Sequence, residues 1–329
     1  MKKNTTTNHV DLKAVKKTCD TIRTEVGKVV VGYEDVVDDF LVCLITQGHM
    51  FMLGIPGIAK TTLAKTFSTV TGFSWSRIQF TQDLLPSDII GHYYFDQKKN
   101  SFLLRKGPVF NEIILADEIN RAPPKTQSAL IEAMQERQVT IEGTTLPLPK
   151  PFLVIATKNP IETEGVYPLP EAQLDRFLYR VSMDYLDSNK ELTMLRRKNE
   201  NHVQTIQPVP AVEIRSLIGL HHKVHVDESI MKYILDLLTE TRKSSELVLG
   251  GSPRAGEHLL YAAKAYALIH GKQYVIPDDV KRIAPKVLSH RLILSAEAEL
   301  EGHTTDKVID DILRSVEIPE MNLPKILAT

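Results

Sequence analysis

Cysteine is scarce in this chain, 2 among 329 residues, and there is no long apolar run, no tandem repeat, no low-complexity tract and no excess of charge of either sign. Cys19 and Cys43 both fall in helix-like apolar patterns and match no metal-ligand spacing, so they read as reduced core thiols of a cytoplasmic protein. No stretch approaches the length of a membrane span, and the start, Met1 to Thr7, leads into polar residues unlike a signal peptide. Residues 1–9 are expected to form a disordered lead. A formal net charge of −1 leaves no global basic field for non-specific nucleic-acid binding, although a local basic patch stays open. What remains is ordinary for a globular protein: 25% charged and 43% apolar residues, in a chain long enough for one large or two modest domains.

Against that background two short segments, about sixty residues apart, stand out. The first runs from Met50 through Gly54-Ile55-Pro56-Gly57-Ile58-Ala59-Lys60-Thr61-Thr62: a short apolar strand, a Gly-rich turn, then a helix. Such a turn gathers free backbone N–H groups, the positive end of a helix dipole and the Lys60 ammonium around a phosphate chain. The Thr61 hydroxyl is a hard oxygen ligand of the kind magnesium prefers. The second, Ile113-Ile114-Leu115-Ala116-Asp117-Glu118, delivers two carboxylates at the end of a buried strand. Asp117 is positioned to hold a magnesium ion through its water shell, and Glu118 to orient and deprotonate an attacking water. The pair predicts a site for a nucleoside triphosphate, Mg2+ and water. One departure stands in the turn: the general pattern Gly-x-x-x-x-Gly-Lys-Ser/Thr expects glycine at 59, where this chain has Ala59, which matters if that position needs φ > 0.

Periodicity organises the rest. Leu12, Val15, Cys19, Ile22 and Val26 mark an amphipathic first helix, and a second covers roughly 34–47. Short apolar strands are expected at about 50–53, 76–80, 113–116, 152–156 and 178–182, alternating with helices, which predicts a doubly wound parallel α/β layer. Two inserts interrupt the alternation: residues 83–110 with a hairpin-like stretch, and a second hairpin at 138–149. After about Asp187 the strand signals stop, and helical faces such as Ile230, Ile234, Leu237 and Leu238 predict a small all-helical domain. The expected division is a lead at 1–9, a nucleotide-binding α/β domain at 10–187 and a helical domain at 188–329.

Three polar residues sit where a nucleotide machine would use them. Asn159 follows the strand beside the one carrying Asp117, where its amide could hold water against the γ-phosphate; a turn before Pro160 is its plainer reading. Arg176, closing a helix that starts near Pro170-Glu171, faces away from its own site and could reach a neighbouring subunit's γ-phosphate, unless Asp175 or Glu171 pairs with it. Arg254 lies in the first turn of a helix, where a cation is disfavoured, so an anion such as a phosphate is its natural partner.

Together these runs resemble the AAA+ ATPases, and within them the MoxR family. The resemblance rests on Gly54 to Thr61, Asp83-Leu84-Leu85-Pro86-Ser87-Asp88, Ala116 to Gln127, Ala156-Thr157-Lys158-Asn159-Pro160 and Ser252-Pro253-Arg254-Ala255, and it extends from about residue 11 to 320. It implies a P-loop αβα sandwich followed by a smaller all-α lid domain, with ATP bound by Gly54, Pro56 to Thr62, Asp117 and Gly32, and Mg2+ held by Thr61 and Asp117. It makes Asn159 the sensor-1 residue, Arg176 the arginine finger and Arg254 the sensor-2 residue, the last expected to reach from the lid to the nucleotide held by the α/β domain. The family tolerates alanine at position 59. The two inserts would face a central pore. The resemblance further implies a hexameric ring and a chaperone-like ATPase that matures clients or loads metals and cofactors. A separate protein with a von Willebrand factor A domain is the implied partner, since this chain has no Asp-x-Ser-x-Ser motif. Tyr33 stands beside Gly32 where the family usually has Gln, close to the expected adenine pocket, and Lys158 replaces a usual Gln. Alternatives are a nucleic-acid motor, for which Arg137 and Lys150 flank the second hairpin, a chelatase-type motor subunit, and a nucleotide-binding module without turnover.

Overall fold

The structure, a computed structural model, describes residues 11–162, 164–200 and 204–320. The lead expected at residues 1–9 lies outside them. The first apolar stripe forms a helix at Leu12–Val29, started by the Asp11 side chain accepting from the Ala14 amide at 3.1 Å. A second helix follows at Glu34–Thr46. Nine strands come next: β1 (Met50–Gly54), β2 (Trp75–Gln79), β3 (Gly91–Asp96), β4 (Ser101–Lys106), β5 (Ile113–Asp117), β6 (Gln138–Ile141), β7 (Thr144–Pro147), β8 (Leu153–Lys158) and β9 (Tyr179–Met183).

Five of these strands form one parallel sheet in the order β2-β5-β8-β1-β9. The remaining four make the two expected hairpins, β3 with β4 and β6 with β7. Because successive side chains point to opposite faces, each central strand feeds two cores. Met50, Met52, Ile113, Leu115, Leu153 and Ile155 pack toward the first two helices and the helix Lys60–Thr71. Phe51, Ile114, Ala116, Val154 and Ala156 pack toward the helix Pro124–Glu136 and the hairpins. Three layers result, with the carboxyl ends of β1, β5 and β8 at one edge. Both thiols are buried and free, and burial pushes that of Cys19 up to about 12.

Beyond Met183 the described residues are helical, apart from a short antiparallel ribbon pairing Leu247–Leu249 with Ile293–Leu294. Strands of two and three residues are too short to leave a period-two signal, so the sequence reads this part as purely helical. The helical half also shares its core with the α/β half. Helix Pro253–Ile269 packs on the first two helices, and Lys286 holds the buried Asp39 carboxylate at 2.6 and 2.7 Å. Among the described residues no helix is long and apolar enough to cross a membrane.

Candidate active site

The turn after β1 places Lys60 at the first position of helix Lys60–Thr71, with its ammonium donating to the Gly54 carbonyl. Burial pushes the Lys60 pKa down, while Asp117, Glu118 and Glu162 pull it back. Gly57 has φ +86 and a hypothetical Cβ there would meet nothing within 4 Å, so its backbone conformation is what calls for glycine. Ala59 has φ 67 and ψ 18. The missing glycine is therefore felt: an L-residue holds a left-handed conformation at the mouth of the helix.

Asp117 ends β5, which pairs with β2 along its whole length and with β8 as far as Ala116. Thr157, buried on β8, donates its hydroxyl to Asp117 Oδ1 at 2.6 Å and accepts the Glu118 amide at 2.9 Å, fixing both acids with one side chain. Arg77 of β2 donates to Asp117 Oδ2 through Nε at 3.0 Å and Nη2 at 2.7 Å. Glu118 sits in the left-handed region at φ 57, a strained conformation that turns its carboxylate off the strand direction. Its Oε2 accepts from Gln79 Nε2 at 2.9 Å and lies 2.9 Å from Arg121 Nε. Arg121 also pairs with Glu162 at 2.7 Å and holds that carboxyl below its usual range.

Asn159 is buried just past β8, so it stands between the strand of the phosphate turn and that of Asp117. Its Oδ1 accepts from the Ile161 amide at 3.2 Å, the turn role anticipated for it. Lys60, Asp117, Glu118 and Asn159 thus meet at one edge of the sheet. The donor set suits a hard cation: Asp117 and the Thr61 hydroxyl offer oxygen alone, and among the described residues no cluster of three or more His, Cys, Asp or Glu is placed to hold a metal.

Beside the phosphate turn lies a cleft of about 360 Å³, lined by Val31, Tyr33, Pro56 to Ala59, Thr62, Leu186 and Met194 among others. Gly32, at φ +87, approaches Leu186 so closely that a Cβ would come within 2.6 Å of it. The Tyr33 hydroxyl donates to the Asp184 carbonyl at 3.1 Å, which aligns the ring with this wall.

The two arginines lie elsewhere, and together. A second cleft of about 170 Å³ is lined by His49, Met134, Gln135, Arg176, Arg254 and His258, sharing no residue with the first. Ser252 caps helix Pro253–Ile269 and puts Arg254 in its first turn, where Asp175 answers it at 3.1 Å. Arg254 thus meets an acid of the α/β half next to Arg176, and it does not line the cleft beside the Gly54–Thr62 turn. Asp175 pairs with Arg254 and Arg291, and among the described residues Arg176 makes no ion pair.

Several of these partners carry no sequence signal. Arg77, Gln79, Glu162 and Arg291 sit in no recognisable motif, and Thr157 lies within the run around Asn159 without a role read from it; only the tertiary fold brings them to their partners.

Comparisons with known proteins bear on the family and the fold. Residues 49–179 match the ATPase family associated with various cellular activities (AAA), and residues 239–312 match an AAA lid domain. The chain is 44% identical over 89% of its length to the uncharacterized protein YeaC of Bacillus subtilis, covering 92% of that protein. It is 42% identical over 91% of its length to the chaperone MoxR1 of Mycobacterium tuberculosis, covering 81% of it. The crystal structure of an ATPase candidate from Cytophaga hutchinsonii superposes with a TM-score of 0.88 at 43% identity, covering 94% of this chain and 97% of that one.

Proposed function

Because this chain belongs to the MoxR family of AAA+ ATPases, we propose that it hydrolyses ATP at the seams between copies of itself and uses the resulting lid movement to remodel a protein client. One observation carries the reading: Lys60, Asp117, Glu118 and Asn159 lie at the carboxyl edge of the sheet, by the turn that lines the first cleft, while Arg176 and Arg254 line a second cleft that shares no residue with the first. Arginines so placed serve a phosphate only if another copy brings it to them.

Beside the first cleft the N–H groups of the turn and Lys60 hold the β- and γ-phosphates. Thr61 and Asp117 would hold Mg2+, which when bound neutralises charge on the phosphate oxygens. Glu118 takes the proton from the attacking water, and Asn159 keeps that water in line. For this the Glu118 carboxylate must leave Gln79 and Arg121, so those two contacts describe a resting pose. Arg176 of the adjoining copy meets charge developing on the γ-phosphate, a contribution of about 10³–10⁵ in turnover for such fingers. Arg254 of the same copy reaches the same phosphates once it leaves Asp175. A closed hexameric ring is the arrangement in which every pocket gains such a neighbour. The chaperone name of the Mycobacterium relative favours a protein client, and a separate partner with a von Willebrand factor A domain completes the proposal.

The nucleic-acid alternative loses one of the two cations that flank the second hairpin. Arg137, which flanks the second hairpin, donates to the carbonyls of Phe152 and Gln47 and lies over the Phe152 ring at 5.7 Å. Its guanidinium is spent on the fold.

The test is complementation. Arg176→Ala and Lys60→Ala proteins should each be inactive, and their co-assembled mixture should regain ATPase activity where an intact pocket faces an intact arginine. A mixture as inactive as its parts, with co-assembly demonstrated, removes the shared-site reading.

A further inference from the structure

Arg291 is the most deeply buried cation near the arginine cleft, with a side chain 2% exposed, and no motif points to it. It follows helix Pro277–Leu288 in the helical half, yet most of its bonds reach into the α/β half. Nε donates to Asp175 Oδ1 at 2.7 Å, and Nη2 to the carbonyls of Asp175 at 3.0 Å and Phe177 at 2.6 Å. Nη1 lies 3.4 Å from the Leu178 carbonyl and also donates to Val287 of its own helix. Nη2 is 2.6 Å from His258 Nδ1, one helical turn beyond Arg254. Burial and the neighbouring arginines push His258 down to about 3, so its ring is neutral and Nδ1 accepts. One planar fork therefore grips the backbone on both sides of Arg176, the acid that holds Arg254, and the helix that carries Arg254.

We propose that Arg291 is a positioning residue that sets the pose of Arg176 from the lid, so that lid movement and finger placement form one motion. The inference rests on the shared-site reading above. Three carbonyls and one carboxylate of a four-residue turn bind a single lid side chain, so the turn cannot keep its place when the lid moves. Asp175 is common to Arg291 and Arg254, which ties the second arginine to the same device. A buried guanidinium held only for stability would not need both carbonyls flanking the finger and the acid of Arg254.

The experiment uses the full-length assembly. Arg291→Gln should lower kcat for ATP about tenfold to hundredfold, the cost of misplacing a catalytic group by about an ångström. KM for ATP should stay within about twofold, because the phosphate turn is untouched. Arg291→Lys should lower kcat similarly, since an ammonium cannot reproduce the fork. The deciding measurement mixes Arg291→Gln with Lys60→Ala protein. The Lys60→Ala copies keep a well-placed finger, so pockets of Arg291→Gln copies beside them should recover turnover. No recovery there, while the Arg176→Ala and Lys60→Ala mixture does recover, overturns the role of Arg291 and leaves the shared site standing. Failure of both mixtures removes both. Unchanged kcat in Arg291→Gln also overturns the proposal. If that variant does not assemble, Asp175→Asn is put through the same mixture, and the same outcomes decide.

Discussion

Arg77 of β2 reaches diagonally across to Asp117 of β5, two positions along from its register partner Leu115, with the guanidinium Nη2 2.7 Å from the carboxylate Oδ2. Asp117, proposed above to help hold Mg2+, thus already carries a cation, and on that proposal one must be traded for the other. Arg77 is 46% exposed, so the pair is weak. Removing it with Arg77→Ala should lower the Mg2+ concentration for half-maximal ATPase activity by about two- to fivefold, matching an exposed pair of up to about 1 kcal/mol. A magnesium titration of both proteins checks this; a higher requirement in the variant would mean that Arg77 assists the site.

Glu118→Gln should retain ATP binding and lose turnover by about a hundredfold or more, the usual contribution of a positioned general base. Nucleotide binding by fluorescence and phosphate release measured on the same protein separate the two. Substantial turnover would take Glu118 out of its assigned role. The same variant, held in its ATP state, is the form in which to capture a client.

The left-handed backbone at Ala59 makes a stability prediction independent of catalysis. An L-residue there costs about 1–2 kcal/mol, and glycine returns about 0.4–1 kcal/mol of that through the freer unfolded chain. Ala59→Gly should therefore be between neutral and about 1.5 kcal/mol more stable, read from denaturant midpoints at unchanged slope. Strong destabilisation would show that the methyl group makes a contact worth more than the strain.

Acid should weaken the fold before any surface carboxylate titrates. Burial pushes His49 and His290 well below the usual histidine range, His221 to about 4 and His258 to about 3. Unfolded, each would bind a proton below about pH 6.5. Between about pH 6.5 and 4 the unfolded chain thus holds more protons at these sites, so stability falls as pH falls, on the order of 1 kcal/mol per pH unit for each group. Asp39, raised to about 6 chiefly by burial, works in the opposite direction: folded it keeps a proton that the unfolded chain gives up, so its contribution is lost as pH rises from about 4 to 6. Four histidines outweigh one carboxylate. Urea midpoints should rise from pH 4.5 to 6.5, and a flat or falling profile would contradict the neutral burial of these rings.

Much of the site is local chemistry and therefore legible in order along the chain. Ile113 to Ala116 is an apolar run that can only be a buried strand, and two acids at its end must emerge at the sheet edge. Gly54 to Thr62 announces a turn into a helix through glycine, proline and the onset of helical spacing. Arg77, Gln79 and Thr157 stayed hidden because their partners lie about 40 residues away and meet them only once β2, β5 and β8 are neighbours. The Asp175 partner of Arg254 was hidden for a related reason: a helix cap says where a side chain starts, and nothing about which domain face lies opposite.

By itself the sequence determined the five strands of the main sheet, the first two helices, the turn into the helix at Lys60 and where the two hairpins interrupt the sheet. Each of these follows from patterns within a few residues: alternation, helical spacing, turn chemistry. Only the tertiary structure decided that the helical half shares a core with the first two helices, and that Arg254 and Arg291 converge on Asp175 beside Arg176. That outcome comes from burying apolar faces of two distant segments against each other, and no local pattern says which faces will meet.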